Sequence, residues 1–114
     1  GNYSRDFTYI DNVIQANLLS LVTTNEKAIN TVYNVAYGDR NTLNDLMSYL
    51  KLYLSEFDSE ISNIEVIYGP NRVGDIPHSH ASVDKAKENL NYNPHFSLQK
   101  GLKDAVKWYW ENLK

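Results

Sequence analysis

The sequence contains no cysteine, so it encodes neither a disulfide framework nor a thiolate metal site, and the cytoplasm is the compartment expected of it. No apolar run approaches the roughly 18 residues that a membrane-crossing helix needs, and no leader pattern opens the chain; the expectation is a soluble protein without a membrane partner. Charge of one sign is missing too. Eleven basic residues stand interspersed among 14 acidic ones for a net charge of -3, which leaves no electrostatic footprint for nucleic acid but is compatible with a single bound anion. Neither a G-x-G-x-x-G nor a Walker pattern occurs among the 5 glycines, so no phosphate-cradling helix start is encoded. No G-x-S-x-G surrounds Ser4 or Ser79, which argues against an esterase-type nucleophile.

The 114 residues amount to one domain, residues 1–114, able to bury about two thirds of its unfolded surface. The opening GNYSRDFTYI lacks a methionine, and the apolar alternation Phe7, Tyr9 begins at once. The chain therefore reads as a piece of a longer protein, with Gly1 as a cleavage scar. Alternation over about 5–10 predicts a short strand, and Asp11 and Asn12 are expected to cap a helix running to about Thr23. TVYNVA at 31–36 predicts a strand with apolar neighbours on both faces, and IEVIY at 64–68 predicts another, stopped by Gly69-Pro70. Thr42 to Asp45 has the form of a capping box ahead of the stripe Leu43, Leu46, Met47, Leu50 and Leu54. Asp84 is expected to cap a helix ending at Leu90, and a last helix spans about Leu98 to Leu113, with Trp108 and Trp110 on different sides of it. This alternation defines a small mixed α/β domain with too few strands for a complete wound sheet.

The loop YGPNRVGDIPHSH at 68–80 carries the chemistry. Gly69, Pro70 and Gly74 let the backbone bend, so that Arg72 can offer a planar fork to a phosphate and Asp75 an acceptor to paired hydroxyls. The alternative is a surface ion pair between Arg72 and Asp75. Arg5 adds a second guanidinium, and two arginines converging on one pocket would neutralise a diphosphate. His78 and His80 would share one side of an extended segment as two metal ligands might, but no third ligand stands at a recognisable spacing, and no metal is expected. His95 reads as structural or solvated.

Four segments in order, SRDFTYIDNVIQANLL, VYNVAYGDRNTLNDL, YGPNRVGDIPHSHASVDKAKENLNYNP and GLKDAVKWYWENL, resemble the C-terminal part of extended short-chain dehydrogenase/reductase enzymes. Among these they are most similar to bacterial UDP-N-acetylglucosamine 4-epimerases. The resemblance implies a substrate-binding domain beside an absent N-terminal Rossmann domain that holds NAD and the catalytic tyrosine and lysine. It implies that Arg5 and Arg72 contact the substrate diphosphate, that Asp75 accepts the uridine ribose hydroxyls, and that the small Ser79 leaves room for a 2-N-acetyl group where a tyrosine stands in enzymes restricted to UDP-glucose. The chain departs from the family pattern at ASVDKA, where Ser82 and Asp84 have exchanged roles, and at Pro77 and His80.

By the same resemblance the whole enzyme inverts C4 of a UDP-sugar through a transient 4-keto intermediate and is a homodimer through helices of the absent domain. No catalytic, cofactor-binding or metal residue is expected in this chain, which alone is expected to be inactive. Two other readings stand beside this one. One is a nucleotide-sugar dehydratase or decarboxylase of the same superfamily, and the other is a stand-alone binding module without catalysis.

Overall fold

The computed structural model describes residues 1–113. It holds strand β1 (Ser4–Arg5), helix α1 (Ile10–Val22), strand β2 (Asn41–Thr42), helix α2 (Leu43–Leu54), helix α3 (Asp84–Leu90) and helix α4 (Leu98–Asn112), with short 3-10 turns at Glu26–Ala28 and Ser59–Asn63. The two strands pair antiparallel, Ser4 opposite Thr42 and Arg5 opposite Asn41. The mixed α/β class expected from the sequence is the one observed. The molecule is flat, 53 × 35 × 19 Å with a radius of gyration of 17.0 Å. A compact domain of this length would have a radius of about 13 Å.

The core is correspondingly small. Ala16, Ala36, Val83, Ala86 and Tyr92 form its buried centre, with Leu19, Tyr33, Val35 and Ala81 packed around them. Small side chains on α1 and α3 let the extended segment 31–36 lie close, and Tyr92 closes the gap. Its hydroxyl donates to the Ala36 carbonyl at 2.6 Å. Burial, and then the charge of Asp6, raise the Tyr92 pKa, so the phenol stays a neutral donor. A second layer forms where α2 meets α4. There Gln99 donates to the Tyr49 hydroxyl at 2.9 Å, and beyond the end of α2 the Phe57 and Trp110 rings stack at 5.3 Å.

The two layers are joined through α1. Asn12 is fully buried, and its carboxamide makes three hydrogen bonds: Oδ1 accepts from the His95 and Phe96 N–H groups, both at 3.1 Å, while Nδ2 donates to the Phe96 carbonyl at 2.8 Å. One turn on, Gln15 donates to the Asn93 carbonyl and accepts from its N–H, each at 2.8 Å. Two side chains thus treat the segment before α4 as a strand would. Tyr9 then lies against α4 at Gly101, where an added Cβ would sit 2.6 Å from the ring.

Several sequence expectations change in this setting. Residues 31–36 and 64–68 form no strand, because among the described residues no neighbouring strand meets their N–H and C=O groups. Their burial differs from expectation as well. Tyr33 and Val35 turn inward, whereas Val32 is 83% exposed and Ile67 93%. The first strand is confined to Ser4–Arg5 because α1 begins at Ile10, and Asn12 is not its cap but lies inside it. The α3 helix starts at Asp84 with Val83 at its N-cap and no side-chain capping bond, so Asp84 is the first helical residue rather than the cap; its N–H reaches the Ser82 hydroxyl at 3.4 Å. The capping box is as expected. The Asp45 N–H donates to Thr42 Oγ1 at 3.0 Å, and Asp45 Oδ2 accepts the Thr42 N–H at 2.8 Å. No helix among the described residues is long and apolar enough to cross a membrane.

Two outcomes test this account. Asn12→Ala leaves the part-buried N–H groups of His95 and Phe96 without their acceptor, so it should lower unfolding free energy by about 1 to 3 kcal/mol, read from urea denaturation. The Asp45 pKa is lowered, chiefly by the Thr42 backbone N–H and then by the Thr42 hydroxyl. A lowered folded-state pKa gives stability that is present above the unfolded value, near pH 4, and lost as pH falls through the folded value. Asp45→Asn should therefore melt below the parent at pH 7, and the gap should narrow as the pH is taken progressively below about 4.

Candidate functional site

The N-terminal segment lies across the start of α2. The Leu43 N–H donates to the Tyr3 carbonyl and the Asn44 N–H to the Gly1 carbonyl, each at 2.9 Å. With Asp45 served by Thr42, the orphan amides of this helix start are occupied and offer nothing to an anion. On the other side, segment 64–68 is tied to α2 by Lys51, which donates to the Ile64 carbonyl at 2.6 Å, and by Tyr68, whose hydroxyl donates to Asn44 Oδ1 at 2.8 Å. Between the two segments lies an open cleft of about 1130 Å³ whose floor is the first half of α2.

Arg5, Arg72 and Asp75 all line this cleft, as does Glu65. They arrive from opposite sides. Arg5 ends β1, and Arg72 and Asp75 sit in the loop that turns at Gly74, whose φ of +81 favours glycine. The ion pair differs from the one that spacing offered: Arg5 Nη2 meets Asp75 Oδ1 at 2.6 Å, while Arg72 has no ion-pair partner among the described residues. With both side chains about a third exposed, the pair contributes ~1 kcal/mol or less, and its effect is to orient rather than to stabilise. Arg5 Nη1 also donates to the Ser4 carbonyl at 2.8 Å, so the guanidinium is held at two points. The arrangement leaves Arg72 as a free cation, Arg5 as an oriented one, and Asp75 with one carboxylate oxygen engaged and one open.

Ser79 is not among the cleft-lining residues. It is exposed, and its N–H donates to the Ser4 carbonyl at 3.1 Å. Sequence reasoning missed Asp6, whose two oxygens accept the Tyr37 and Gly38 N–H groups at 3.1 and 2.9 Å and so anchor the turn after segment 31–36 directly behind Arg5. It also left Ser4 and His78 without a role; the two side chains meet at 2.8 Å. No cluster of three metal-ligating side chains occurs among the described residues. The residues present do not fit a dinucleotide either, since the glycines are scattered singly and no helix begins on a glycine-rich turn.

The small mixed α/β fold matches the C-terminal region of NAD-binding epimerase structures. The chain corresponds to the C-terminal part of UDP-sugar 4-epimerases. The UDP-glucose 4-epimerase of Thermotoga maritima, solved with UDP-glucose, is 36% identical with a TM-score of 0.83 over 100% of this chain and 34% of that one. The UDP-N-acetylglucosamine 4-epimerase of Methanobrevibacter ruminantium M1, in complex with UDP-N-acetylmuramic acid, is 32% identical with a TM-score of 0.81 over 97% of this chain and 33% of that one. The UDP-glucuronic acid 4-epimerase of Bacillus cereus, solved with UDP-glucuronic acid and NAD, is 28% identical with a TM-score of 0.74 over 95% of this chain and 33% of that one. NAD is the cofactor of this family. The chain spans 33% and 26% of the length of two curated relatives that it matches. No protein-family model matches it.

Proposed function

We propose that this chain is the UDP-gripping part of an NAD-dependent UDP-sugar 4-epimerase that accepts UDP-N-acetylglucosamine as well as UDP-glucose. The observation that carries the reading is the meeting of Arg5, Arg72 and Asp75 on one cleft from segments far apart in sequence. Arg72, free of ion-pair partners, and Arg5, held with its fork partly open, would take the diphosphate; the open oxygen of Asp75 would take the ribose diol. NAD, held by the rest of the protein, would supply the hydride chemistry at C4. The part played by this chain is to bind tightly at the nucleotide and leave the sugar loosely held. Binding energy far from the reacting carbon then retains the substrate without fixing which face of the ring is presented.

Ser79 gives the reading its substrate. It follows the clamp loop, is anchored by its own N–H to the residue before Arg5, and carries a side chain too small to fill a neighbouring sugar pocket. A pocket completed beside it has room for a 2-N-acetyl group.

In the full-length protein, Arg72→Ala should weaken UDP-sugar binding by about 2 to 4 kcal/mol in calorimetry, with NAD binding nearly unchanged. Equal losses for both ligands would instead mean that Arg72 serves the fold. Ser79→Tyr should collapse kcat/KM for UDP-N-acetylglucosamine by steric exclusion while that for UDP-glucose is kept or improved, and Ser79→Ala should change little. Matching losses on both sugars, with NAD content intact, would remove Ser79 from the sugar pocket.

A further inference from the structure

We infer that Ser4 and His78 form a positioning pair that sets the distance between the two halves of the clamp, Arg5 on one side and the Arg72–Asp75 loop on the other; this rests on the reading of the cleft as a UDP site. Ser4 is 2% exposed, and its hydroxyl lies 2.8 Å from Nδ1 of His78. The main chains meet at the same point. The Ser4 N–H donates to the Pro77 carbonyl at 2.9 Å and the Ser4 carbonyl accepts the Ser79 N–H at 3.1 Å, a parallel bridge centred on His78.

That bridge is isolated, with no ladder on either side among the described residues. Two main-chain hydrogen bonds alone are a weak hold on a loop that otherwise reaches β1 through the exposed Arg5–Asp75 pair. The Ser4–His78 bond adds a third, part-buried link, and it is the one that depends on residue type, since the other two are made by the main chain. It also satisfies the buried Ser4 hydroxyl. Without an imidazole opposite, that group would be left unpartnered at a cost comparable to a lost hydrogen bond, or the bridge would open to admit water.

Neither side chain touches the cleft. Ser4 acts through its neighbour and through its own carbonyl, which receives Arg5 Nη1 at 2.8 Å as well as the Ser79 N–H. A shift of Ser4 relative to 77–79 would move the Arg5 guanidinium, Asp75 and Ser79 against one another. The ligand class concerned is a nucleoside diphosphate, whose phosphates and ribose must be met by both halves at once.

The test uses the full-length protein with its NAD, titrated calorimetrically with UDP. His78→Leu and Ser4→Ala should each weaken UDP binding about tenfold, and the double variant should be no weaker than either single one. His78→Asn places an amide oxygen or nitrogen where Nδ1 stood and should restore affinity to within about threefold of the parent. In turnover of UDP-glucose the loss should fall on KM rather than kcat, with NAD content and melting temperature held. Additive losses, failure of the asparagine variant to rescue, or a fall in NAD content matching the fall in UDP affinity would each overturn the pair. If Arg72→Ala weakens UDP binding while both single variants leave it intact, the positioning role alone is wrong. If all three leave UDP binding intact, the reading of the cleft fails and the pair's role with it.

Discussion

The buried carboxamide of Asn12 is the contact on which the rest of this thin domain depends. A flat molecule whose main buried cluster is three alanines, one valine and one tyrosine has little apolar area with which to fix its two layers, so side-chain hydrogen bonds to the backbone help to carry the alignment. Asn12 meets three backbone groups of the segment before α4 and Gln15 meets two more, and each carboxamide both donates and accepts. Because α1 follows β1 after a short connection, fixing α1 against α4 also fixes where β1 can lie. Gly101 contributes to the same alignment by letting Tyr9 approach the α4 backbone.

From that frame the cleft follows. The α4 helix packs on α2, and the first turn of α2 receives the carbonyls of Gly1 and Tyr3, which carries Arg5 to the rim. Asp6, next in sequence, is turned the other way into the Tyr37 and Gly38 amides, so of two adjacent charged residues one lines the cleft and the other holds a turn. The loop holding Arg72 and Asp75 is the least anchored wall.

The unpaired segments 31–36 and 64–68 are rich in β-formers and without a neighbouring strand among the described residues. Together with exposed Ile10, Ile14 and Leu18 at helical spacing on α1, they leave much apolar surface uncovered. This agrees with a chain that spans about a third of the solved relatives it matches.

The sequence by itself determined the helices, since each is written in local signals: the 3.6-residue stripes, the Thr42–Asp45 capping box, and the left-handed Asn91 that closes α3. It also named Arg5, Arg72 and Asp75, which the structure brings to one cleft, because an R-x-x-D loop between glycines and an R-D pair at a strand drew attention to them and the family resemblance rests on those same positions. Only the tertiary structure decided which partners meet. Asp75 pairs with Arg5, 70 residues away, and not with Arg72 three residues away. Asn12, with every mark of a helix cap, was needed instead to bridge 83 and 84 residues to His95 and Phe96. Extended segments became strands only where a neighbour lay beside them, and Ser4 and His78 gained a role only once their chains touched. Periodicity and capping are set within a few residues, whereas a hydrogen-bond partner is set by where the whole chain brings two groups together, and no local pattern encodes that distance.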